Sequence, residues 1–331
     1  RIALGIVASV LILILGFWRA RRHTYQGSVF LILGSTGILL TLFAARQLYG
    51  FFSPWSVLAV MFFCTAFVGL ASVKYRVQWL SVASIVLAGI APLLTNNPTP
   101  HDVQTFSYLF VVTLGALWVV ALTGWRNLTV WALLLTASYS APHFFSVLPQ
   151  RGTLLLFAYA FAALFFITNT LGIVKAKEGK STADLFVAAG NGLLLLLWIM
   201  SAVSPEWRSL VIAAWMVVFA VGAFLTLRIT GRHEPFVIYG GVSVAMLAAA
   251  TAAELHGAAL TIAYTLESGI LAFLVYILLR DVRMAERTNF LLVGPIVLSF
   301  SSIQSSSWVN AVIHKDFFVL AVLALTLFGL G

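Results

Sequence analysis

Apolar stretches about as long as a membrane-spanning helix follow one another from one end of the chain to the other. A window of about 20 residues separates about thirteen of them. They cover residues 2–18, 27–49, 54–73, 78–94, 106–123, 128–148, 153–174, 183–203, 207–229, 235–253, 258–279, 288–302 and 316–331. These runs are continuous and do not alternate in polarity, which excludes the strands of an outer-membrane barrel. The sequence therefore predicts an all-α, polytopic integral membrane helix bundle with about 13 transmembrane segments.

The composition agrees with a membrane setting. Of the 331 residues, 62% are hydrophobic and only 9% are charged, so the chain has more apolar surface than a water-soluble domain could bury. The net charge of +9 would suggest nucleic-acid binding in a soluble protein. Here the basic residues lie between apolar runs, where membrane orientation explains them. We therefore expect membrane lipid as a partner and no nucleic acid.

Basic residues are unequally divided between the two predicted sides of the membrane. If the segments cross in turn, the odd-numbered connections hold 14 of the 19 Lys and Arg residues. These are Arg19, Arg21, Arg22, Lys74, Arg76, Arg126, Lys175, Lys177, Lys180, Arg228, Arg232, Arg280, Arg283 and Arg287. The other five are Arg1, Arg46, Arg151, Arg208 and Lys315. The positive-inside rule therefore predicts that the odd-numbered connections are cytoplasmic.

Two internal sequence similarities indicate repeated helix hairpins within a single multi-pass domain over residues 1–331. Residues 80–94 align with 130–145 so that Pro92 falls on Pro142. The repeated hairpins would be 54–94 and 106–148. The second similarity relates residues 30–40 to 186–196. The chain begins and ends within apolar segments, so we expect it to be part of a longer protein.

Three stretches carry a resemblance to a known family. The first is GSVFLILGSTGILLTLFAARQLYGFFSP at 27–54, which contains Ala45, Tyr49 and Gly50. The second is the end of an apolar run that contains Gly89, Pro92 and Leu94. The third is IAYTLESGILAFLVYIL at 262–278. Over essentially the whole chain, the sequence resembles the bacterial family of predicted membrane proteins called domain of unknown function 2339. The resemblance implies a multi-pass protein of the bacterial cytoplasmic (inner) membrane. It brings no catalytic signature and leaves the activity open.

Glu267 is a carboxylate near the middle of an apolar run. Helix geometry puts it about 14 Å from Ala258 and about 18 Å from Leu279, so its side chain cannot reach water at either end. An isolated charge at that depth is costly, and we expect an acid that is protonated, paired or in contact with a wet cavity. Tyr264 lies one turn away on the same face and could offer its phenol as a hydrogen-bond donor. We predict that Glu267 faces the protein interior beside Tyr264.

Two amide side chains lie within other apolar runs. Asn191 is at a depth where it could bond to Glu267 from another helix, and Asn169 is the second amide. An amide in lipid usually forms a hydrogen bond across a helix pair. We interpret both mainly as contacts between helices, with contact to a substrate as the alternative.

A further set of polar residues falls on the predicted non-cytoplasmic side. Its candidates are His101, Asp102, His143, Glu254 and His256. Together such residues could form a metal site or an acid–base site for a lipid-linked substrate. No H-x-H or H-E-x-x-H spacing accompanies them, so we predict no metal, no cofactor and no catalytic residues.

The connection before the eighth segment resembles the end of a phosphate-binding loop. It contains Gly179, Lys180 and Ser181, but Val174 stands where that motif needs its first glycine, and no strand precedes it. We therefore exclude a nucleotide site. Ser181 and Asp184 have the spacing of a capping box and predict the start of a helix.

Three classes of function remain open. Many helices, repeated hairpins and one buried acid favour transport or translocation of a small solute or a lipid-linked precursor. A scaffold or assembly protein of the cell envelope needs no site and fits the lack of motifs. An outer-face enzyme acting on a lipid-linked substrate would need converging acid, base or metal groups. The sequence does not display such a set, and an enzyme is the least favoured reading.

Overall fold

The computed structural model describes residues 2–95, 102–145, 151–175, 182–279, 282, 286, 288–309 and 313–330. Every extended regular element in these ranges is helical. The first seven helices are α1 (Ile2–Ala20), α2 (Thr24–Tyr49), α3 (Pro54–Tyr75), α4 (Gln78–Leu94), α5 (Asp102–Thr123), α6 (Asn127–Phe145) and α7 (Arg151–Lys175). The next six are α8 (Thr182–Ala202), α9 (Pro205–Thr230), α10 (His233–Glu254), α11 (Ala258–Leu279), α12 (Val293–Ile303) and α13 (Lys315–Leu330). Short 3-10 turns lie at Asn289–Leu292 and Ser306–Val309.

Nine helices within the described ranges are long and apolar enough to cross a membrane. They are α1, α2, α3, α5, α7, α8, α9, α10 and α11. The all-helical, multi-pass class is confirmed, but the expected number of about 13 transmembrane segments is not. Among the described helices, three apolar ones are short: α4 has 17 residues, α12 has 11 and α13 has 16. At 1.5 Å per residue, α12 is only about 16 Å long, against a hydrocarbon core of about 30 Å.

The chain divides into two compact units. The first, unit 1, contains Arg1–Val203 and Ala220–Val242, and the second, unit 2, contains Ser204–Phe219 and Ser243–Gly331. The end of α9 and the start of α10 therefore belong to unit 1, and their other halves belong to unit 2. The prediction of a single continuous domain is not tested by this division and stays a prediction.

Unit 1 has a core built from the inward faces of α2 to α8. Phe106, Leu109, Leu128 and Phe165 are all 1% exposed or less within it. Long stripes of Leu, Phe and Trp remain exposed on the outer faces of the same helices. In a membrane those stripes face lipid, so burial is decided by helix packing and not by hydropathy.

Helices α1 and α2 form a closely packed pair in unit 1. A Cβ atom added at Gly27 would lie 2.3 Å from the Cα of Ala20, and one added at Gly34 would lie 2.7 Å from the backbone nitrogen of Leu13. Only hydrogen fits at these two positions. Small residues at helix contacts allow backbones to approach and increase van der Waals contact where lipid provides no hydrophobic drive.

The two hairpins that we predict to be repeats have similar construction. In α3–α4 and α5–α6 alike, a 22-residue helix is followed by a shorter one with an internal proline, Pro92 or Pro142. A left-handed residue follows the first helix of each, Arg76 at φ 54° and Gly124 at φ 75°. Superposition of the hairpins themselves stays a prediction.

Pro92 leaves a gap in the hydrogen bonds of α4 that neighbouring helices fill. A proline has no N–H, so the carbonyl of Ala88, four residues earlier, has no helical donor. The hydroxyl of Tyr108 on α5 donates to that carbonyl at 3.0 Å. The hydroxyl of Tyr139 on α6 donates to the next carbonyl, that of Gly89. The proline site thus joins α4, α5 and α6.

Unit 2 consists of α11, α12, α13 and the remaining halves of α9 and α10. Helix α11 packs against α12 and α13. Ser243 on α10 donates to the carbonyl of Met216 on α9 at 3.1 Å. The buried positions of this unit include Thr265, Ala272 and Val319.

Candidate functional site

Glu267 on α11 is held by a hydroxyl from α10. The Oγ1 of Thr251 donates a hydrogen bond to its carboxyl Oε1. Tyr264, one turn earlier on α11, donates through its hydroxyl to the carbonyl of Ala248 on α10 at 2.8 Å. Glu267, Thr251 and Tyr264 are all partly buried. Three polar side chains therefore form one cluster at the α10–α11 contact, which we call the Glu267 cluster.

Glu267 is half-buried, and the hydroxyl from which it accepts a hydrogen bond is that of Thr251. Tyr264 and Asn191, the two partners that the sequence suggested, bond elsewhere. Tyr264 bonds to the backbone of α10, whereas we expected its phenol to bond to the acid. Asn191, the expected partner on another helix, is 2% exposed and donates to the carbonyl of Ala162 on α7 at 3.0 Å. Asn191 therefore forms a contact between α7 and α8.

A second polar cluster in unit 1 connects α7, α8 and α10, with Arg126 from the turn before α6 beside it. The Nδ2 of Asn169 donates both to the backbone carbonyl of Asp184 at 2.8 Å and to the hydroxyl of Tyr239 at 3.1 Å. Thr170 contacts the same hydroxyl at 3.1 Å. The four residues lie on three helices, and each is buried. We call this group, with Arg126, the Asp184 cluster.

The charge of the Asp184 cluster is balanced at the start of α8. An Nη1 atom of Arg126 lies 3.9 Å from Oδ1 of Asp184, and the side chains are 28% and 1% exposed. Asp184 is in the first turn of its helix, where the backbone dipoles also favour negative charge. A Cβ atom at Gly172 would lie 1.8 Å from Nη1 of Arg126, so glycine leaves the space for the guanidinium.

Sequence reasoning found only Asn169 of this second cluster. Arg126 counted as a loop charge, and Asp184 as a capping residue paired with Ser181, which lies outside the described residues. Tyr239 gave no signal, because a tyrosine in an apolar helix is compatible with lipid, interface or core. One feature of the sequence could have suggested the Arg126–Asp184 pair. Each of the two residues adjoins an apolar run on the same predicted side of the membrane, and their charges have opposite signs.

The predicted outer-face candidates come together only in part. Nε2 of His143 lies 3.4 Å from Oδ1 of Asp102, and its Nδ1–H donates to the carbonyl of Tyr139 at 3.0 Å. Phe106 and Trp198 pack on the imidazole ring, with centroids 5.3 and 6.0 Å away. The two ring nitrogens of His143 thus lie next to the Asp102 carboxylate and the Tyr139 carbonyl, and two aromatic side chains of unit 1 pack against the ring.

The remaining outer-face candidates lie elsewhere. Glu254 and His256 belong to unit 2, and both are exposed. Glu254 accepts a hydrogen bond from Ser209, and His101 lies outside the described residues. Among the residues that the structure describes, no group of three or more His, Cys, Asp or Glu side chains could hold a metal ion.

A chain of apolar helices, with an acid in the middle of one of them and polar clusters between others, defines a multi-pass α-helical membrane protein. Residues 1–330 match the family described as predicted membrane protein (DUF2339), and the chain belongs to that family. This confirms the family that the sequence resembles. No curated protein and no solved structure matches the chain.

Proposed function

We propose that the protein moves a small solute or a lipid-linked precursor across the membrane, with Glu267 as a proton-titrating group on the path. The observation that carries this proposal is the mid-helix position of Glu267 together with its incomplete burial. Ionisable side chains at such depth are rare, and in transport proteins they commonly mark proton or substrate pathways.

The contact between Glu267 and Thr251 is compatible with either form of the acid. The hydroxyl of Thr251 can donate to the carboxylate, and it can equally donate to the carbonyl oxygen of the neutral acid. Tyr264 is anchored on Ala248 and does not compete for the acid. Both states of Glu267 therefore keep the contact with Thr251, so protonation need not separate α10 from α11.

We further propose a bacterial cytoplasmic membrane as the location, with the basic connections inside. The uneven division of Lys and Arg supports that orientation. It would put the Asp184 cluster on the cytoplasmic side and the Asp102–His143 pair on the opposite side.

A scaffold of the cell envelope is the second candidate, because a specific set of contacts favours it. Tyr108, Tyr139 and Asn191 each donate to a backbone carbonyl of a neighbouring helix. Such bonds hold helices together and need no substrate. In a scaffold, the Glu267–Thr251 bond would serve the same purpose.

Substitution of Glu267 by Gln separates the two candidates. Glutamine keeps a carbonyl oxygen for Thr251 but cannot titrate. Cells that produce the full-length protein are compared as wild type, E267Q, a matched control E254Q and a deletion. The readout is the profile of intracellular solutes and lipid-linked precursors, with the amount of protein in the membrane measured in parallel. Glu254 is suited as the control because it is an exposed acid at the end of α10.

Transport predicts that E267Q reaches normal amounts in the membrane yet reproduces the profile of the deletion, while E254Q resembles wild type. If E267Q matches wild type both in the solute and precursor profile and in the amount of protein, the contact with Thr251 is structural. That result would contradict the transport proposal and favour the scaffold.

A further inference from the structure

An apolar groove runs along unit 1 between α1 and α3. Near one end it is lined by Leu13, Ile14, Phe17, Trp18, Arg21 and Phe67, with a volume of about 240 Å³. It continues past Leu13 and Phe67 into a second stretch of about 400 Å³, which Ile6, Val10, Val60 and Phe63 also line. Ile38 and Leu42 of α2 form its floor there. We call the two stretches together the α1–α3 groove.

The groove is long enough to hold a lipid acyl chain of one leaflet. From Ile6 to Arg21, the residue after the end of α1, the groove follows the chain over fifteen residues, or about 22 Å at the helical rise. One leaflet of a hydrocarbon core of about 30 Å is about 15 Å thick. Its wall residues Ile14, Trp18 and Phe63 are more than half exposed, so the groove is open at the side, where lipid is the solvent.

Two cations lie at one end of the α1–α3 groove. Arg21 lines it directly, and the Nζ of Lys74 lies 4.7 Å from the centroid of the Phe17 ring, itself a wall residue. Tyr75 fixes this end, because its hydroxyl donates to the carbonyl of Phe17 at 2.8 Å. The bond from Tyr75 and the contact of Lys74 thus join the end of α3 to the wall residue Phe17 of α1.

The chain provides no nearby acid in sequence to neutralise these cations. Residues 1–101 contain seven Lys or Arg residues and no Asp or Glu. Arg19 is occupied by Gln26, whose Oε1 accepts from its Nε and Nη2 at 3.2 and 3.1 Å. Within the described part of the chain, no hydrogen bond or ion pair involves the side chain of Arg21 or Lys74. An anion is the complementary partner.

We propose that the α1–α3 groove binds one anionic phospholipid of the bilayer, with an acyl chain against Val10, Leu13 and Phe67 and the phosphate headgroup between Arg21 and Lys74. Basic pockets between transmembrane helices recognise anionic headgroups by charge. Trp18, exposed beside Arg21, is suited to the headgroup level because of its amphipathic ring. A polypeptide in the same place would need its own carboxylate to match the two cations.

Native mass spectrometry of the full-length protein tests the proposal. The protein is released from nanodiscs that contain equal amounts of phosphatidylglycerol and phosphatidylcholine, and the retained lipids are counted. Wild type should retain phosphatidylglycerol in preference. In the variant R21Q/K74Q, the ratio of retained phosphatidylglycerol to phosphatidylcholine should be about 25-fold lower than in wild type. This corresponds to a factor of roughly five for each basic residue at the headgroup.

A matched control removes the same charge elsewhere. Lys175 and Arg228 are exposed basic residues in the last turns of α7 and α9, and K175Q/R228Q should keep the wild-type preference. A third variant, V10F, narrows the groove without touching the cations. It should reduce the total lipid retained and leave the preference for phosphatidylglycerol in what remains.

Three results would overturn the proposal. The first is equal retention of the two lipids by wild type. The second is an equal loss of preference in K175Q/R228Q, which would indicate a general charge effect. The third is a dimer that R21Q/K74Q or V10F dissociates without any change in lipid retention, which would assign the groove to a second copy of the chain.

Discussion

The hydroxyl of Tyr108 donates to the carbonyl of Ala88, which Pro92 deprives of its helical donor. A carbonyl within the hydrocarbon core cannot form a hydrogen bond with water. Tyr108, on α5, therefore supplies the hydrogen bond that the backbone of α4 lacks. The bond explains how α4 tolerates a proline two residues before its last residue. It also ties α5 to α4 at a defined position.

We predict that the contribution of Tyr108 depends on Pro92. Y108F should lower the free energy of unfolding by about 1 kcal/mol in the wild-type background. In the background P92A, residue 92 supplies an N–H to Ala88, and Y108F should cost much less. Unfolding by dodecyl sulfate in mixed micelles measures the four proteins of this cycle. Equal costs in both backgrounds would show that the hydroxyl does not replace the missing helical donor.

The close pair of α1 and α2 gives a second prediction. G34L would put a large side chain against the backbone of Leu13 and should destabilise the protein by about 2 kcal/mol or more. G115A serves as the control, because a Cβ at Gly115 in the middle of α5 has nothing within 4 Å. Mixed-micelle unfolding of both variants is the measurement. A stable G34L protein would contradict the tight packing of this pair.

The Asp184 cluster predicts coupling between two charged residues. D184A should lower stability by about 3 kcal/mol, since it leaves Arg126 without its carboxylate. R126Q should cost at least as much, because the carboxylate that it leaves without that cation is fully buried, whereas the Arg126 side chain is 28% exposed. The double variant should cost clearly less than the sum of the two.

The control for that cycle is E206Q. Glu206 is also an acid in the first turn of a helix, α9, but it is exposed. Its loss should change stability by less than about 0.5 kcal/mol. Strict additivity of D184A and R126Q would mean that the two side chains do not stabilise each other.

Orientation in the membrane is a fourth prediction, based on the positive-inside rule. In a C64S background, which removes the single cysteine, R22C and H256C should react with an impermeant thiol reagent from opposite sides of the membrane. Both positions are exposed at the ends of helices. Modification of both from the same side would refute the predicted topology.

Local properties of the sequence determined the helical class and the membrane setting. The length and continuity of the apolar runs fall within single helices, so they need no knowledge of neighbours. The Ala-Pro positions of α4 and α6 were visible for the same reason. The number of spans does not follow from hydropathy alone, because short runs such as α12 have the hydropathy of a span without its length.

Only the tertiary structure decided which polar groups meet. Glu267 could be placed by depth, but its partner Thr251 lies on the preceding helix and gives no signal among other small residues. The Arg126–Asp184 pair and the Tyr108–Ala88 bond join residues 58 and 20 positions apart, respectively. Lipid tails are as apolar as the interior of a helix bundle, so hydropathy does not show which face of a helix packs inward. That choice depends on the fit of one helix against another, and the partners of each buried polar group follow from it.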